Sequence, residues 1–490
     1  MILDRNLKKL TLLHSNDMHG DFMAENIDKK LIGGVSMLSG YVDQVRQQEK
    51  NTIYAIAGDM FRGSVIDSEY KGISTIEIMN LISPDIVTIG NHEADYGIAH
   101  LLFIEKCAKF PIINANLYIK TNHARLFKPY HIIDIDGMKI LFIGILTEEI
   151  IAQTKQDSLI GSIIDVYEAA EEVGHICNSY NNVDIDMTVL LTHIGFEEDK
   201  KLATLLDPDW GVDMIIGGHT HTLLDQPVQV NNILIVQVGT GTDQIGRFDI
   251  EIDTDNNCID SWKWRAVPID SSNCPVDHDL ENLILSFKKE TDKKYTRIIT
   301  RFARKLTHPA RNMETELGDL CADILKDCLG LDIMMFASGS IRSKALGPIV
   351  RYQDFTECFP YDDAIHRLKV TGKQLRLMIG TIFSRDFMTG HTEFYQFSHG
   401  LHVKYSLSGK TVTEITFENE PLDEKRIYSI GLQNYHFNSI DDFMGISKRD
   451  AEANAPIKTV STSCCDVLME AFTVNSRLDR KVENRIQFIE

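Results

Sequence analysis

Five short apolar runs in the first half of the chain end in the same kinds of side chain, and nothing else in the sequence constrains the fold as much. LTLLHSNDMHG runs into Asp17 and His19, TIYAIAGDM into Asp59, and DIVTIGNHEAD into Asn91, His92 and Asp95. DMTVLLTHIGF ends on His193, and VDMIIGGHTHT ends on His219 and His221. One histidine at a strand end is ordinary, but five successive runs that deliver Asp, Asn or His are not. Similar runs recur at Ile140–Leu146 and Ile233–Val238, with helix-like segments such as Val35–Glu49 and Ala99–Ala108 between runs. Short apolar runs alternating with polar stretches of helical length predict an α/β fold whose sheets are covered on both faces. In layered α/β folds the carboxyl edge of the strands is where ligands bind.

The residues at that edge read as chemistry. Imidazole, carboxylate and carboxamide oxygen together suit borderline divalent ions such as Zn²⁺, Mn²⁺, Fe²⁺ or Co²⁺. No thiol belongs to the set, which argues against a structural zinc site. Asp17, His19, Asp59, Asn91, His193, His219 and His221 are too many for one open catalytic ion and suit two ions sharing one carboxylate. Such a pair clamps a phosphoryl oxygen and generates hydroxide. Gly58, Gly90, Gly217 and Gly218 are expected where backbone turns tightly or approaches the cluster.

Size and composition bound the rest. A chain of 490 residues exceeds one ordinary core and predicts two or three domains. The apolar/polar alternation stops near Ser271–Pro275, and a charged segment with Leu280, Leu283, Ile284 and Phe287 at helical spacing follows. The expected division is therefore 1–274, a linking helix within 275–300, and 301–490. Beyond it, Glu316–Leu329 predicts an amphipathic helix with Leu317, Leu320, Cys321, Ile324, Leu325 and Cys328 on one stripe and Gly330 as its stop. His402–Glu418 alternates around Ser408-Gly409 and predicts a hairpin.

A net charge of −21 disfavours binding of nucleic-acid polymers, although bound metal can still attract a small anion. Nine scattered cysteines without a C-x-x-C pair predict neither a disulfide framework nor a zinc knuckle. No apolar run approaches the roughly 20 residues that span a bilayer. The short run Leu10–Leu13, preceded by Asp4, does not read as a secretory signal, so a cytoplasmic protein without membrane association is expected.

D-x-H, G-D, G-N-H-E, a lone T-H and G-H-x-H, in this order, resemble the calcineurin-like metallophosphoesterase superfamily. GNHEAD and the region after it resemble more narrowly the bifunctional 5′-nucleotidase and UDP-sugar hydrolase family. The resemblance implies a four-layer αββα domain followed by a mixed α/β nucleotide-specificity domain, with a hinge near Asp279–Arg297. It implies one metal on Asp17, His19, Asp59 and His221, and a second on Asp59, Asn91, His193 and His219. Some relatives carry Gln in place of His221. His92 resembles the catalytic histidine of the family, with Asp95 orienting it.

In the second half, ASGSIRS resembles the substrate loop of the family and assigns Arg342 to phosphate or carboxylate. Arg311 matches a second family arginine. A third falls on Thr307, and the usual Asn or Ser of the loop falls on Ala337. FPYDD and NYHFNSIDDF match segments whose aromatic rings sandwich a base and whose acid binds ribose. These assign Tyr361, Tyr435 and Asp441 to the substrate, with Phe437 the competing second ring. The activity implied is dinuclear metal-dependent hydrolysis of nucleoside 5′-monophosphates. Two rivals share the motifs: a diesterase or pyrophosphatase acting on 2′,3′-cyclic nucleotides, UDP-sugars or dinucleotides, and a non-catalytic nucleotide sensor.

Overall fold

The computed structural model describes residues 5–119, 122–147, 165–180, 183–385, 387–388 and 392–490, together with the backbone of 162–163. The chain forms two compact units, Met1–Thr291 and Asp292–Glu490. The helix His278–Tyr295 carries the chain from the first into the second.

The first unit is built on two six-stranded sheets. In one, Leu7–Ser15, Thr52–Ala57, Ile86–Thr88 and Ile112–Ile113 run parallel, and the long ribbon Gln244–Asp253/Cys258–Pro268 adds antiparallel to Leu7–Ser15. In the other, Met138–Leu146, Met187–His193, Met214–Ile216 and Ile233–Val236 run parallel, flanked by the antiparallel strands Tyr130–Ile135 and Val228–Val230. Leu12, Ala55 and Ile86 of the first sheet share one buried cluster with Phe142, Val189 and Met214 of the second, so the sheets pack face to face. Helices Val35–Gln48, Ile73–Ile82 and Ile98–Cys107 cover the outer face of the first sheet. Val166–Ser179 and Phe196–Leu205 cover that of the second, which completes four αββα layers. Each fully buried Leu, Ile or Phe contributes roughly 1.5–3 kcal/mol relative to exposure, which is why the central runs carry almost no polar residues.

The parallel strands run with their carboxyl ends at Ser15, Ala57, Thr88, His193 and Ile216. The run expected from Val212 begins as a strand only at Met214, because Asp213 turns its carboxylate to the Thr188 N–H of the neighbouring strand.

The second unit has a five-stranded mixed sheet ordered Tyr395–Phe397, Ile333–Ala337, Ile427–Gln433, Ile365–Thr371 and Lys458–Ser461. Helices Glu316–Leu329 and Cys464–Val474 pack on one face and Gly372–Ser384 on the other. The expected hairpin is present as Leu401–Ser406 paired antiparallel with Thr411–Phe417. Helix Glu316–Leu329 starts where Thr315 Oγ1 accepts the Gly318 N–H (3.1 Å) and ends at Gly330 with φ 63°. Its stripe differs from expectation in one residue: Cys328 is exposed, and Leu329 packs against the core in the last turn instead. The opposite face is not solvated either. Asp323 is buried in a two-pronged ion pair with the fully buried Arg485, at 2.7 and 2.9 Å.

Candidate metal centre

Sharp turns beyond the strand ends bring the donors together. Asp17, His19, Asp59, His219 and His221 all adopt left-handed backbone, with φ between 49° and 81°. Non-glycine residues pay for this conformation, and it concentrates at functional sites. Two glycines make the approach possible. A Cβ on Gly90 would lie 2.2 Å from Asp59 Oδ1, and one on Gly58 would lie 2.7 Å from His193 Nδ1.

The resulting cluster is compact. His193 Nε2 lies 3.1 Å from Asp59 Oδ2, 3.8 Å from Asp17 Oδ1 and 3.2 Å from Asn91 Oδ1. Asn91 Oδ1 is also 2.9 Å from His219 Nδ1. On the other side His221 Nε2 is 3.5 Å from Asp17 Oδ1 and 2.9 Å from His19 Nε2, which is itself 3.9 Å from both Asp17 and Asp59. All seven expected donors thus meet at one place, with Asp17 and Asp59 between the histidines. Asp17, His193 and Asp59 are buried, and His221 faces the opening.

The donor chemistry fits divalent cations. His193 Nδ1 faces the Ala57 carbonyl at 2.9 Å and His19 Nδ1 the Phe61 carbonyl at 3.3 Å. These contacts set the tautomer and leave both Nε2 atoms as lone-pair donors. Burial works against charge on His193, yet Asp59 and Asp17 outweigh it and hold the ring up at about 9. Burial likewise opposes ionisation of Asp59, but His193 holds it at about 2. A proton on His193 here stands where positive charge is wanted. The donor groups Asp17–His19–His221 and Asp17–Asp59–His193 each lie within 4.8 Å, and a third, His19–Asp59–His92, draws His92 to the same place.

His92 sits on the rim. Its backbone N–H donates to Asp59 Oδ1 (2.9 Å), its Nδ1 faces Asp95 Oδ2 at 2.7 Å, and its ring meets that of His19 edge-on at 5.4 Å. The Asp95 hydrogen bond raises its pKa, against burial and with help from Asp59. Burial would raise Asp95, but bonds from His92 and Arg62 hold it down. The Arg62 guanidinium pairs with the same Asp95 oxygen that faces His92.

Besides Arg62, three residues of this environment escaped sequence reasoning. Glu93 is fully buried and accepts the N–H groups of Asp59, Met60, Phe61 and Gly90, at 2.6–3.3 Å. Burial and the nearby Asp59 push its carboxyl up to about 7. Asn16 Nδ2 donates to Asp17 Oδ2 and the Gly239 carbonyl, both at 2.7 Å. Asp199 links Thr192 and Gln237, which bonds the Gly218 carbonyl. Glu93 and Asn16 lie inside the quoted motifs, so adjacency to a donor was the available signal; Asp199 offered none.

The second unit gathers only some of its expected residues. Arg311 and Tyr435 line a cavity of about 370 Å³ together with Arg385, Glu393, His436 and Phe443. Arg342 stacks over the ring of Tyr361, 5.2 Å from its centre. Tyr435 is 65% exposed and Tyr361 55%, whereas Phe437 packs against His366 and the buried core. Asp441 is exposed on the short helix Ile440–Met444 and does not line the cavity. Its neighbour Phe443 does.

Comparison with known proteins agrees with this geometry. The calcineurin-like phosphoesterase family matches residues 10–223, and the 5′-nucleotidase C-terminal domain matches residues 294–448. The snake venom 5′-nucleotidase of Naja atra is 25% identical over 465 residues, covering 86% of each chain. The trifunctional nucleotide phosphoesterase YfkN of Bacillus subtilis is 26% identical over 417 residues, covering 75% of this chain and 27% of that protein. A 5′-nucleotidase precursor from Thermus thermophilus has the same fold, with a TM-score of 0.58 and 23% identity over 99% of this chain and all of that one. The chain is a metal-dependent phosphoester hydrolase, and it belongs to the calcineurin-like metallophosphoesterases that carry a 5′-nucleotidase C-terminal domain.

Proposed function

We propose that this enzyme hydrolyses nucleoside 5′-monophosphates to nucleoside and inorganic phosphate. The observation that carries this reading is the meeting of seven oxygen and nitrogen donors beside the His92–Asp95 pair. We assign two divalent cations to them: one on Asp17, His19, Asp59 and His221, the other on Asp59, Asn91, His193 and His219. When bound, such ions neutralise phosphoryl oxygens and lower the pKa of water enough to supply a nucleophile.

The side chains do the rest. Asp95 accepts from His92 Nδ1, which leaves Nε2 to carry the mobile proton. Arg62, paired with the same Asp95 oxygen, keeps that carboxylate ionised. With its pKa raised, His92 holds a proton at Nε2 for the departing ribose oxygen. In the second unit, the exposed Tyr435 and Tyr361 offer faces for a base, and Arg311 and Arg342 offer positive charge. The 5′-nucleotidase C-terminal domain and the 5′-nucleotidases among the relatives support nucleotide as the substrate class.

A second reading adds phosphodiester or pyrophosphate cleavage, supported by the likeness to the trifunctional YfkN protein. Phosphate release from AMP, UDP-glucose and 2′,3′-cyclic AMP, each with Mn²⁺, separates the two. Turnover of AMP is expected; AMP left intact while another substrate is cleaved overturns the first reading.

A further inference from the structure

Among the described residues, one more group of ligating side chains converges, and it is chemically unlike the first. Asp362, Cys464 and Cys465 place a carboxylate oxygen and two sulfurs within 4.8 Å of one another. Consecutive residues of a helix do not normally face the same point. Here they do, because both cysteines lie in the first turn of the helix Cys464–Val474, where the loop after Phe359 crosses it. Four contacts tie loop to helix. The Cys464 N–H donates to the Asp363 carbonyl (2.9 Å), the Cys465 N–H donates to Asp362 Oδ1 (3.1 Å), and the Cys465 thiol lies 3.6 Å from the carbonyls of Phe359 and Tyr361. Cys464 is buried and Cys465 half-buried, while Asp362 is exposed, so the group opens to solvent on the carboxylate side.

We propose that Asp362, Cys464 and Cys465 form a binding site for one thiophilic divalent cation of the Zn²⁺ or Cd²⁺ class. Paired thiolates with one carboxylate select soft or borderline ions over Mg²⁺ or Ca²⁺. Binding displaces both thiol protons to solvent, leaving two thiolates and a carboxylate on the ion. The helix N-terminus favours that charge. The hydrogen bond between the two thiols holds Cys464 below its ordinary range and, with burial and Asp362, pushes Cys465 well above it, so the cation must displace the Cys465 proton.

The site also bears on substrate binding, a consequence that rests on the nucleotidase reading. Asp362 follows Tyr361, whose ring lies under Arg342, and precedes Asp363, whose Oδ2 accepts the Tyr435 N–H at 2.9 Å. Pinning Asp362 therefore fixes the loop that carries one stacking ring and holds the backbone of the other.

The test uses the whole protein, loaded with Mn²⁺ and kept reduced by a non-thiol reductant, and titrates it with Cd²⁺. The readout is ultraviolet thiolate-to-cadmium charge-transfer absorbance. The first-unit centre has no sulfur and does not contribute to it. A band saturating at one equivalent is expected, lost in Cys465→Ser and at least about tenfold weaker in affinity in Asp362→Asn. No band, or a band of full amplitude in Cys465→Ser, overturns the site. Cys465 is only half-buried, and unchanged circular dichroism of both variants shows that they fold. KM for AMP is measured with and without Cd²⁺. An unchanged KM beside a clear band refutes the coupling to Tyr361 and leaves the site standing. Inactivity toward AMP would refute the nucleotidase reading without affecting the band.

Discussion

At the scale of single residues, the donor positions and the supporting positions differ in how they can be read. Asp, Asn and His carry metal chemistry in their composition, so a strand ending on them can be recognised without coordinates. Glu93 carries no such mark, and its role is visible only through the four N–H groups it accepts. His92 lies between these cases, close enough to His19 and Asp59 to be a donor itself. Its Nδ1 contact with Asp95 favours a proton-carrying role instead. His92→Asn is expected to lower kcat by roughly 10²–10⁴ with unchanged metal content. Asp95→Asn should cost about 10–100-fold, because orientation weakens while the imidazole stays. Elemental analysis beside kcat decides the role. Metal lost in His92→Asn would make His92 a ligand.

At the scale of elements, the strand Leu7–Ser15 carries a second histidine with a different fate. His14 is fully buried; its Nε2 accepts from Trp264 Nε1 at 3.3 Å, and its Nδ1 has no partner among the described residues. Gly246 lies opposite, where a Cβ would come within 1.9 Å of Nε2. Burial lowers this imidazole from 6.5 to about 3. The folded unit thus holds His14 neutral while the unfolded chain protonates it below 6.5. The stability this represents is present above pH 6.5 and is lost as pH falls toward 3, at about 1.4 kcal/mol per pH unit. His14→Leu should reduce stability at pH 7.5 by about 1–3 kcal/mol, since the Trp264 N–H loses its acceptor. It should also lose about 2 kcal/mol less than the parent between pH 7.5 and 5. Denaturant unfolding followed by tryptophan fluorescence measures both, because Trp210, Trp262 and Trp264 all lie in the first unit. Equal pH slopes in the two proteins would contradict the burial argument. Elements of this kind were legible in sequence where periodicity was strong, as at Thr52–Ala57 and Glu316–Leu329. The ribbon Gln244–Asp253/Cys258–Pro268 was not, because its second strand is mostly exposed and carries no continuous apolar run. Gly58 and Gly217-Gly218 announce the turns that aim Asp59 and His219, whereas the left-handed turn at Asp17 has no glycine before it to do so.

At the scale of the whole molecule, the two units divide the labour of one reaction in the proposed function: the first supplies phosphoryl chemistry and the second recognises the nucleoside. The seven donors of the first unit are separable in sequence from the rings of the second. Losing a ring should therefore weaken selection without touching the chemistry. Tyr435 is the cleanest probe, because it is 65% exposed and its truncation removes little packing. Stacking a base on an aromatic ring contributes roughly 1–3 kcal/mol, so Tyr435→Ala should lower kcat/KM for AMP by about 5- to 150-fold. An interaction present equally in ground and transition states acts on KM, and most of the loss should appear there. p-Nitrophenyl phosphate has no nucleoside for the second unit to recognise. Its hydrolysis should change by less than about twofold, because the stacking ring makes no contact with it. Equal losses on both substrates would show that Tyr435 supports the fold instead of the substrate. No loss on either would remove the ring from the binding site and leave Phe443, on the wall of the same cavity, as the next residue to replace.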